Sequence, residues 1–192
     1  FRMQLCDGRA YADGEPVSID ALAARLGHDV LQQPIAQHPE MAALHPRSVN
    51  TMRVITVCDA EGARTFSRPM VKIGIAGSVV DNARAGGIQV FVDPDTGRMT
   101  GPGIMQRGGT VSHHPDTGVA LDGFEIPHFE RAIDLAVRLH RELPGLHSIG
   151  WDVAITEDGP TFIEGNDNWG GVLRIGLEPG FKEEFTRLCA RP

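Results

Sequence analysis

Apolar and polar residues alternate along "VNTMRVITVCD" (49–59), the two-residue rhythm of a half-buried strand. "TFSRPMVKIGI" (65–75) predicts a second strand after a turn at "DAEGA". "GIQVFVDPDTGRM" (87–99) predicts a strand and a tight turn, with a further strand running to Met105. Residues 149–166, "IGWDVAITEDGPTFIEGN", read as a hairpin. Ile149, Trp151, Val153 and Ile155 share one side, Glu157-Asp158-Gly159-Pro160 makes the turn, and Thr161 to Gly165 returns. Residues 1–14 predict a strand and turn, and Asp29–Gln33 a short strand stopped by Pro34.

The period changes to that of a helix in two longer places. In "SIDALAARLG" (18–27), Ser18 is a candidate N-cap, Ile19, Leu22, Ala23 and Leu26 recur at helical spacing, and Gly27 is a stop. "HFERAIDLAVRLHREL" (128–143) is the strongest amphipathic helix, with Ile133, Ala136, Val137 and His140 as inward candidates. Phe181–Cys189 predicts a last short helix. Strands joined by short turns favour antiparallel pairing with helices packed on the sheet, an α+β fold. No internal repeat or low-complexity tract stands out. Residues 106–127 carry no clear rhythm and are expected to form a mobile loop over a site.

The hairpin raises a chemical question, because it also carries Asp152, Glu164 and Asn166. Side chains alternate along a strand, so Asp152 lies opposite to Trp151, and Glu164 and Asn166 opposite to Ile163. A connecting loop with an odd number of residues puts Ile163 on the apolar face and gathers the three oxygen-bearing residues on the other. An even loop mixes the faces, and the need to bury one face argues for the odd loop. Two carboxylates placed opposite each other repel. A divalent cation such as Mg²⁺ or Mn²⁺ between hard oxygen ligands explains them; a solvated polar face explains them about as well.

Composition narrows the setting. The 192 residues suffice for one or two domains with a real core. A net charge of −7 argues against general affinity for nucleic acid or anionic membrane. No apolar run approaches the roughly 20 residues of a transmembrane helix. Cys6, Cys58 and Cys189 are odd in number and lack metal-site spacing, which favours free thiols and a cytoplasmic setting. The chain opens on Phe1 in what reads as the middle of a domain, so a preceding segment is expected.

Further candidates lie upstream. Asn50 opens the strand that carries Arg53, and Lys72 sits in the next. Cations beside metal-bound phosphates stabilise charge moving off a γ-phosphate, although a strand arginine is more often a surface residue. Asn82 with Gly86-Gly87 in "VDNARAGG" (80–87) would let backbone N–H groups approach an anion, or forms an ordinary turn. His113, His114 and Asp116 invite a zinc reading but lack a spaced third ligand, so a loop pair is favoured. There is no P-loop and no dinucleotide-binding fingerprint.

Taken together, "SVNTMRV" (48–54), "VDNARAGGI" (80–88), "HPDTG" (114–118) and "GWDVAITEDGPTFIEGN" (150–166) resemble the ATP-grasp superfamily. The order of these motifs is most similar to its sugar-transfer associated branch, found near exopolysaccharide genes. The resemblance runs from about residue 29 to about 171 and implies an ATP site clamped between two α+β subdomains. Residues 1–28 would be a remnant of the smaller subdomain and 29–192 the C-terminal subdomain, the N-terminal part of the full fold being absent along with its glycine-rich loop and lysine. The resemblance assigns Asp152, Glu164 and Asn166 to the metal and "LQQPI" (31–35) to the adenine hinge, through Gln33, Ile35 and Gln32. It sets Arg53 and Lys72 near the phosphates and acyl group, and Asn82 with Gly86 and Gly87 near phosphate or substrate. Asn50, Trp169 and Gly170 would lie near the acceptor.

The activity so implied is an ATP- and Mg²⁺-dependent ligase joining a small-molecule carboxylate to an amine or thiol, or to a sugar-linked substrate, through an acylphosphate, in polysaccharide or cell-envelope metabolism. An ATP-dependent sugar or alcohol kinase of the same fold, or a non-catalytic binding module, are the alternatives.

Overall fold

The computed structural model describes residues 3–6, 9–12, 14–26, 34–78, 86–105, 108–143, 145–170 and 178–189. The chain divides into two compact units, Phe1–Pro34 and Ile35–Pro192.

In the first unit, strands β1 (Met3–Cys6), β2 (Arg9–Ala12) and β3 (Glu15–Val17) form a three-stranded antiparallel sheet, so the expected strand and turn is a fuller meander. Helix α1 (Ile19–Leu26) follows, and the Ser18 hydroxyl accepts from the Ala21 N–H at 3.1 Å, the cap its position predicts. The expected strand at 29–33 and the stop at Gly27 lie outside the described residues.

The second unit is an eight-stranded antiparallel sheet in the order β11-β10-β4-β6-β7-β8-β9, with β5 paired to β4. Its strands are β4 (Thr51–Asp59), β5 (Gly62–Thr65), β6 (Met70–Ile73), β7 (Ile88–Val92), β8 (Met99–Met105), β9 (Thr110–Val111), β10 (Ser148–Thr156) and β11 (Gly159–Asn166). The single strand expected over 65–75 is two: β5 and β6 both pair with β4, interrupted between Phe66 and Pro69. Pro69 has no N–H to give the ladder and Ser67 takes a left-handed φ of 64°, so the strand must break there.

Three helices belong to this unit among the described residues: α2 (Pro39–Leu44), α3 (Phe129–Arg141) and α4 (Phe181–Cys189). Along α3 the buried positions are Phe129, Ala132, Ala136 and His140, with Ile133 and Val137 half-buried at the margin. The main core gathers Met52, Val54, Val71, Val90, Trp151 and Val153 from the sheet with Met41 and Leu44 of α2 and the buried face of α3. A second cluster covers the opposite sheet face at one end, where Ile55 and Val57 meet Phe181 and Leu188 of α4. No described helix is long and apolar enough to cross a membrane.

Residues 108–127 are not the bare loop expected. Strand β9 pairs with β8, His113 bridges to Ala120 and Arg98 to Glu125, and Leu121 and Ile126 enter the core. A five-residue motif differing only in its first residue also occurs twice, as Asp93-Pro-Asp-Thr-Gly97 and His114-Pro-Asp-Thr-Gly118. Both close the same way. The glycine N–H donates to the first residue's carbonyl at 2.9 and 2.8 Å, and the glycines take φ of 67° and 71°.

Candidate functional site

The connection between β10 and β11 is Glu157–Asp158, an even turn, contrary to the expected odd one. Left to itself this register would pair Asp152 with Ile163. A β-bulge intervenes: Val153 pairs with Phe162, but Asp152 pairs with Glu164 and Gly150 with Asn166. The extra residue on β11 restores the register by a route the loop length did not supply. Directly paired residues share a face, so Asp152, Glu164 and Asn166 lie together, opposite to Trp151.

Register extends that face across the sheet. Glu164, Asp152, Arg53, Met70, Phe91 and Thr100 form one cross-strand row. Ala154, Thr51, Lys72, Gln89 and Ile104 form the neighbouring one. Gln89 was not singled out from sequence, though a lone polar residue in "IQVFV" was the available signal. Arg68 ends the first row, its guanidinium 4.9 Å from the Phe91 ring centroid and bonded to the Thr100 hydroxyl.

At the centre lies an ion-paired trio. Arg53 donates from Nε to Asp152 Oδ1 at 2.5 Å and from Nη2 to Oδ2 at 3.0 Å, a two-pronged contact. Lys72, diagonal to Asp152, donates from Nζ to Oδ2 at 2.8 Å. The Asp152 side chain is 4% exposed, and those of Arg53 and Lys72 17% each. Burial is the largest single influence on the Asp152 carboxyl and pushes its pKa up. The Arg53 hydrogen bond, the charges of Lys72 and Arg53, and the Lys72 hydrogen bond together outweigh it, so the group sits below the ordinary carboxylate range. Glu164 differs: it is exposed, and its Oε1 accepts from Asn166 Nδ2 at 3.1 Å.

Trp169 closes one side. Its carbonyl accepts from Arg53 Nη1 at 3.1 Å, and its indole N–H donates to Ser148 Oγ at 3.2 Å. A Cβ on Gly150 would lie 2.3 Å from Trp169 Cβ and 3.2 Å from Arg53 Nη1, so only glycine admits this arrangement. Gly170 follows on the surface.

The other site candidates are placed differently. Asn50 is fully buried, which corrects its expected position beside a substrate. Its Nδ2 donates to Met41 O at 2.8 Å, His45 O at 3.0 Å and Gln37 Oε1 at 3.2 Å, while its Oδ1 accepts from Gly74 N and Ser48 Oγ. It ties the α2 segment to the sheet and keeps no free polar atom. His114 belongs to the same buried region, with Nε2 2.8 Å from Gly74 O and Nδ1 accepting from Asp116 N. Both ring nitrogens of His114 are used within the fold. Gly86 and Gly87 are buried at the entry to β7, and Ile35 is half-buried at the start of the second unit. Gln32, Gln33 and Asn82 lie outside the described residues.

Among the described residues no three His, Cys, Asp or Glu side chains are grouped to hold a metal ion. The polar face offers two carboxylates and one amide, of which Glu164 is open to solvent and Asp152 is engaged by cations. Such a face can hold an anion against Arg53 and Lys72 beside a cation at Glu164, but among the described residues no nucleophile with an adjacent base lies on it.

The chain matches a family model described as sugar-transfer associated ATP-grasp over residues 18–190. No curated protein and no solved structure matches it.

Proposed function

The chain belongs to the sugar-transfer associated ATP-grasp family, and we propose from that premise that the row Glu164–Asp152–Arg53, with Lys72 beside it, receives the phosphates of ATP. Membership implies ATP-dependent, ligase-like activity. The observation that carries the reading to these residues is their meeting on one sheet face, two cations and two carboxylates from four strands.

In this reading the chain's residues bind and orient rather than react covalently. Arg53, anchored by the Trp169 carbonyl, presents a planar guanidinium suited to phosphoryl oxygens. Lys72 supplies a second, point-like charge. Glu164 and Asn166, with Asp152, would hold Mg²⁺, Mn²⁺ serving as a substitute, and phosphate oxygens would complete the shell that two carboxylates and an amide leave short. When bound, that ion supplies neutralisation of phosphate charge. The reaction proposed is transfer of the γ-phosphoryl group to a substrate carboxylate. A new P–O bond forms as the bond to the β-phosphate oxygen breaks, and ADP leaves. An amine or thiol then attacks the acyl carbon and expels phosphate. Gln32, Gln33 and Ile35 are proposed at the adenine, and Asn82, Gly86 and Gly87 near phosphate. We assign residues 1–28 to the smaller subdomain and the activity to cytoplasmic polysaccharide or envelope metabolism.

Calorimetry of the chain with ATP and Mg²⁺, followed by product analysis, tests this. Magnesium-dependent heat, and ADP and phosphate released in step with a joined carboxylate–amine or carboxylate–thiol product, are expected. A stable phosphate ester with nothing joined to it would make the enzyme a kinase; absence of any magnesium-dependent heat would leave a binding module.

A further inference from the structure

At the centre of the polar face the charges cancel before any ligand arrives: Arg53 and Lys72 against Asp152 and Glu164. The cancellation is uneven. Asp152 accepts three donors, from Arg53 Nε and Nη2 and Lys72 Nζ at 2.5, 3.0 and 2.8 Å. Glu164, its direct neighbour across β10 and β11, stays exposed and, among the described residues, accepts only an amide N–H. The two groups assigned to phosphate are therefore already held by a carboxylate that is itself almost wholly buried.

An anion arriving alone would have to draw Arg53 and Lys72 away and leave Asp152 buried without a countercharge, at a large cost. It would also approach Glu164, a like charge. An anion that carries its own divalent cation meets neither penalty. The ion takes the place of the departing cations beside Asp152 and gives Glu164 a partner, so every buried charge remains paired. We infer that Asp152 is a charge latch, releasing Arg53 and Lys72 only to a phosphate chain that arrives with a divalent ion, and so selects metal-complexed over metal-free nucleotide. Asp152 is in this sense a specificity-determining residue, whatever share of the ion it later takes. The inference rests on the nucleotide reading above.

The test is nucleotide affinity with and without metal, by calorimetry on the folded chain. Asp152→Asn removes the charge that holds Arg53 and Lys72 together, so ATP in EDTA should bind on the order of tenfold tighter than to the wild type, and the preference for MgATP should shrink by a similar factor. Glu164→Gln removes the same charge from the same face but leaves Arg53 and Lys72 tied, so its affinity for ATP in EDTA should change by less than about threefold. Equal gains in the two variants would mean that only net charge matters, and no gain in Asp152→Asn would mean there is no latch; either result overturns the proposal. Circular dichroism checks that Asp152→Asn folds. If it does not, Lys72→Met decides by another route: with one competitor removed from Oδ2, Mn²⁺ alone, followed by the resonance of the free ion, should bind about threefold tighter. Unchanged or weaker Mn²⁺ binding refutes the latch. A wild type that binds MgATP while the variants fail these expectations loses only the latch, whereas a wild type that binds no nucleotide loses the nucleotide reading as well.

Discussion

The two sides of the ribbon formed by β4 and β10 solve opposite problems with alternate residues of the same segments. On one side Trp151 and Val153 meet Val54 and Met52 under α3. The polar groups there are few and spent on each other. The Trp151 indole donates to Thr56 Oγ1 at 2.7 Å, which lies 2.6 Å from His140 Nδ1, while His140 Nε2 lies 2.8 Å from the Leu146 carbonyl. A carbonyl only accepts, so Nε2 carries the proton, Nδ1 is bare, and the Thr56 hydroxyl donates to it. That chain has one consistent direction and no vacancy. On the other side Arg53 and Asp152, one residue along from Val54 and Trp151, carry full charges that need each other. The first face is satisfied by neutral groups within the fold; the second is satisfied by full charges paired with one another.

The contrast can be broken most severely on the core side. Trp151→Ala should open a cavity beside His140 and Phe162 and take the indole donor from Thr56 Oγ1, costing about 3–5 kcal/mol, read as a lower urea midpoint. Gly150→Ala attacks the other face. With 2.3 Å between the new Cβ and Trp169, the indole must shift and Arg53 lose its carbonyl partner; the expected cost is about 1–3 kcal/mol, with a red-shifted tryptophan emission as Trp169 leaves its packing. Thr56→Val should cost about 1–2 kcal/mol by orphaning the indole N–H and His140 Nδ1 together. In a double-mutant cycle with Trp151→Phe the two losses should be strongly non-additive, and additive losses would show that the chain is not coupled. Glu164→Gln should be nearly silent in stability, within about 0.5 kcal/mol, yet abolish magnesium-dependent ATP turnover. An unaffected turnover removes Glu164 from the site.

Much of this was legible in the chain because it depends on local pattern. The two-residue rhythm located β4, β7, β10 and β11, and the 3.6-residue rhythm located α3, since each reports which side of one element is buried. The grouping of Asp152, Glu164 and Asn166 was reached from the same logic, but the loop parity behind it was wrong and a bulge supplied the register instead. A bulge is chosen by packing on both sides of a hairpin, here with Trp151 lying against Gly165, whose Cβ would sit 2.9 Å from the indole. The rhythm put Trp151 on the apolar side, but the partner of its indole N–H, Thr56, and its neighbour His140, 95 and 11 residues away, came only with the fold. Asn50 was misplaced for a related reason, because nothing in "SVNTMRV" tells that Gln37, Met41 and Gly74 will converge on one amide.

The two Pro-Asp-Thr-Gly turns separate the contributions most cleanly. Their sequence fixes their backbone: proline, an Asx-type side chain and a glycine at positive φ close the same loop twice. In the first, Asp93 Oδ1 accepts from Asp95 N, Thr96 N and Thr96 Oγ1, and the polar groups are used up within the turn. In the second, His114 is buried against Gly74, Asp116 Oδ2 accepts from Ala76 N, and Thr117 donates to the Leu44 carbonyl, so the same residues bolt separate segments together. Local sequence thus determined the elements, the turns and which side of each strand is polar, because those follow from bonds and sterics between near neighbours. The tertiary structure decided which turn is docked and which arginine meets which aspartate, 99 residues apart, because contacts of that separation exist only once the whole sheet has closed.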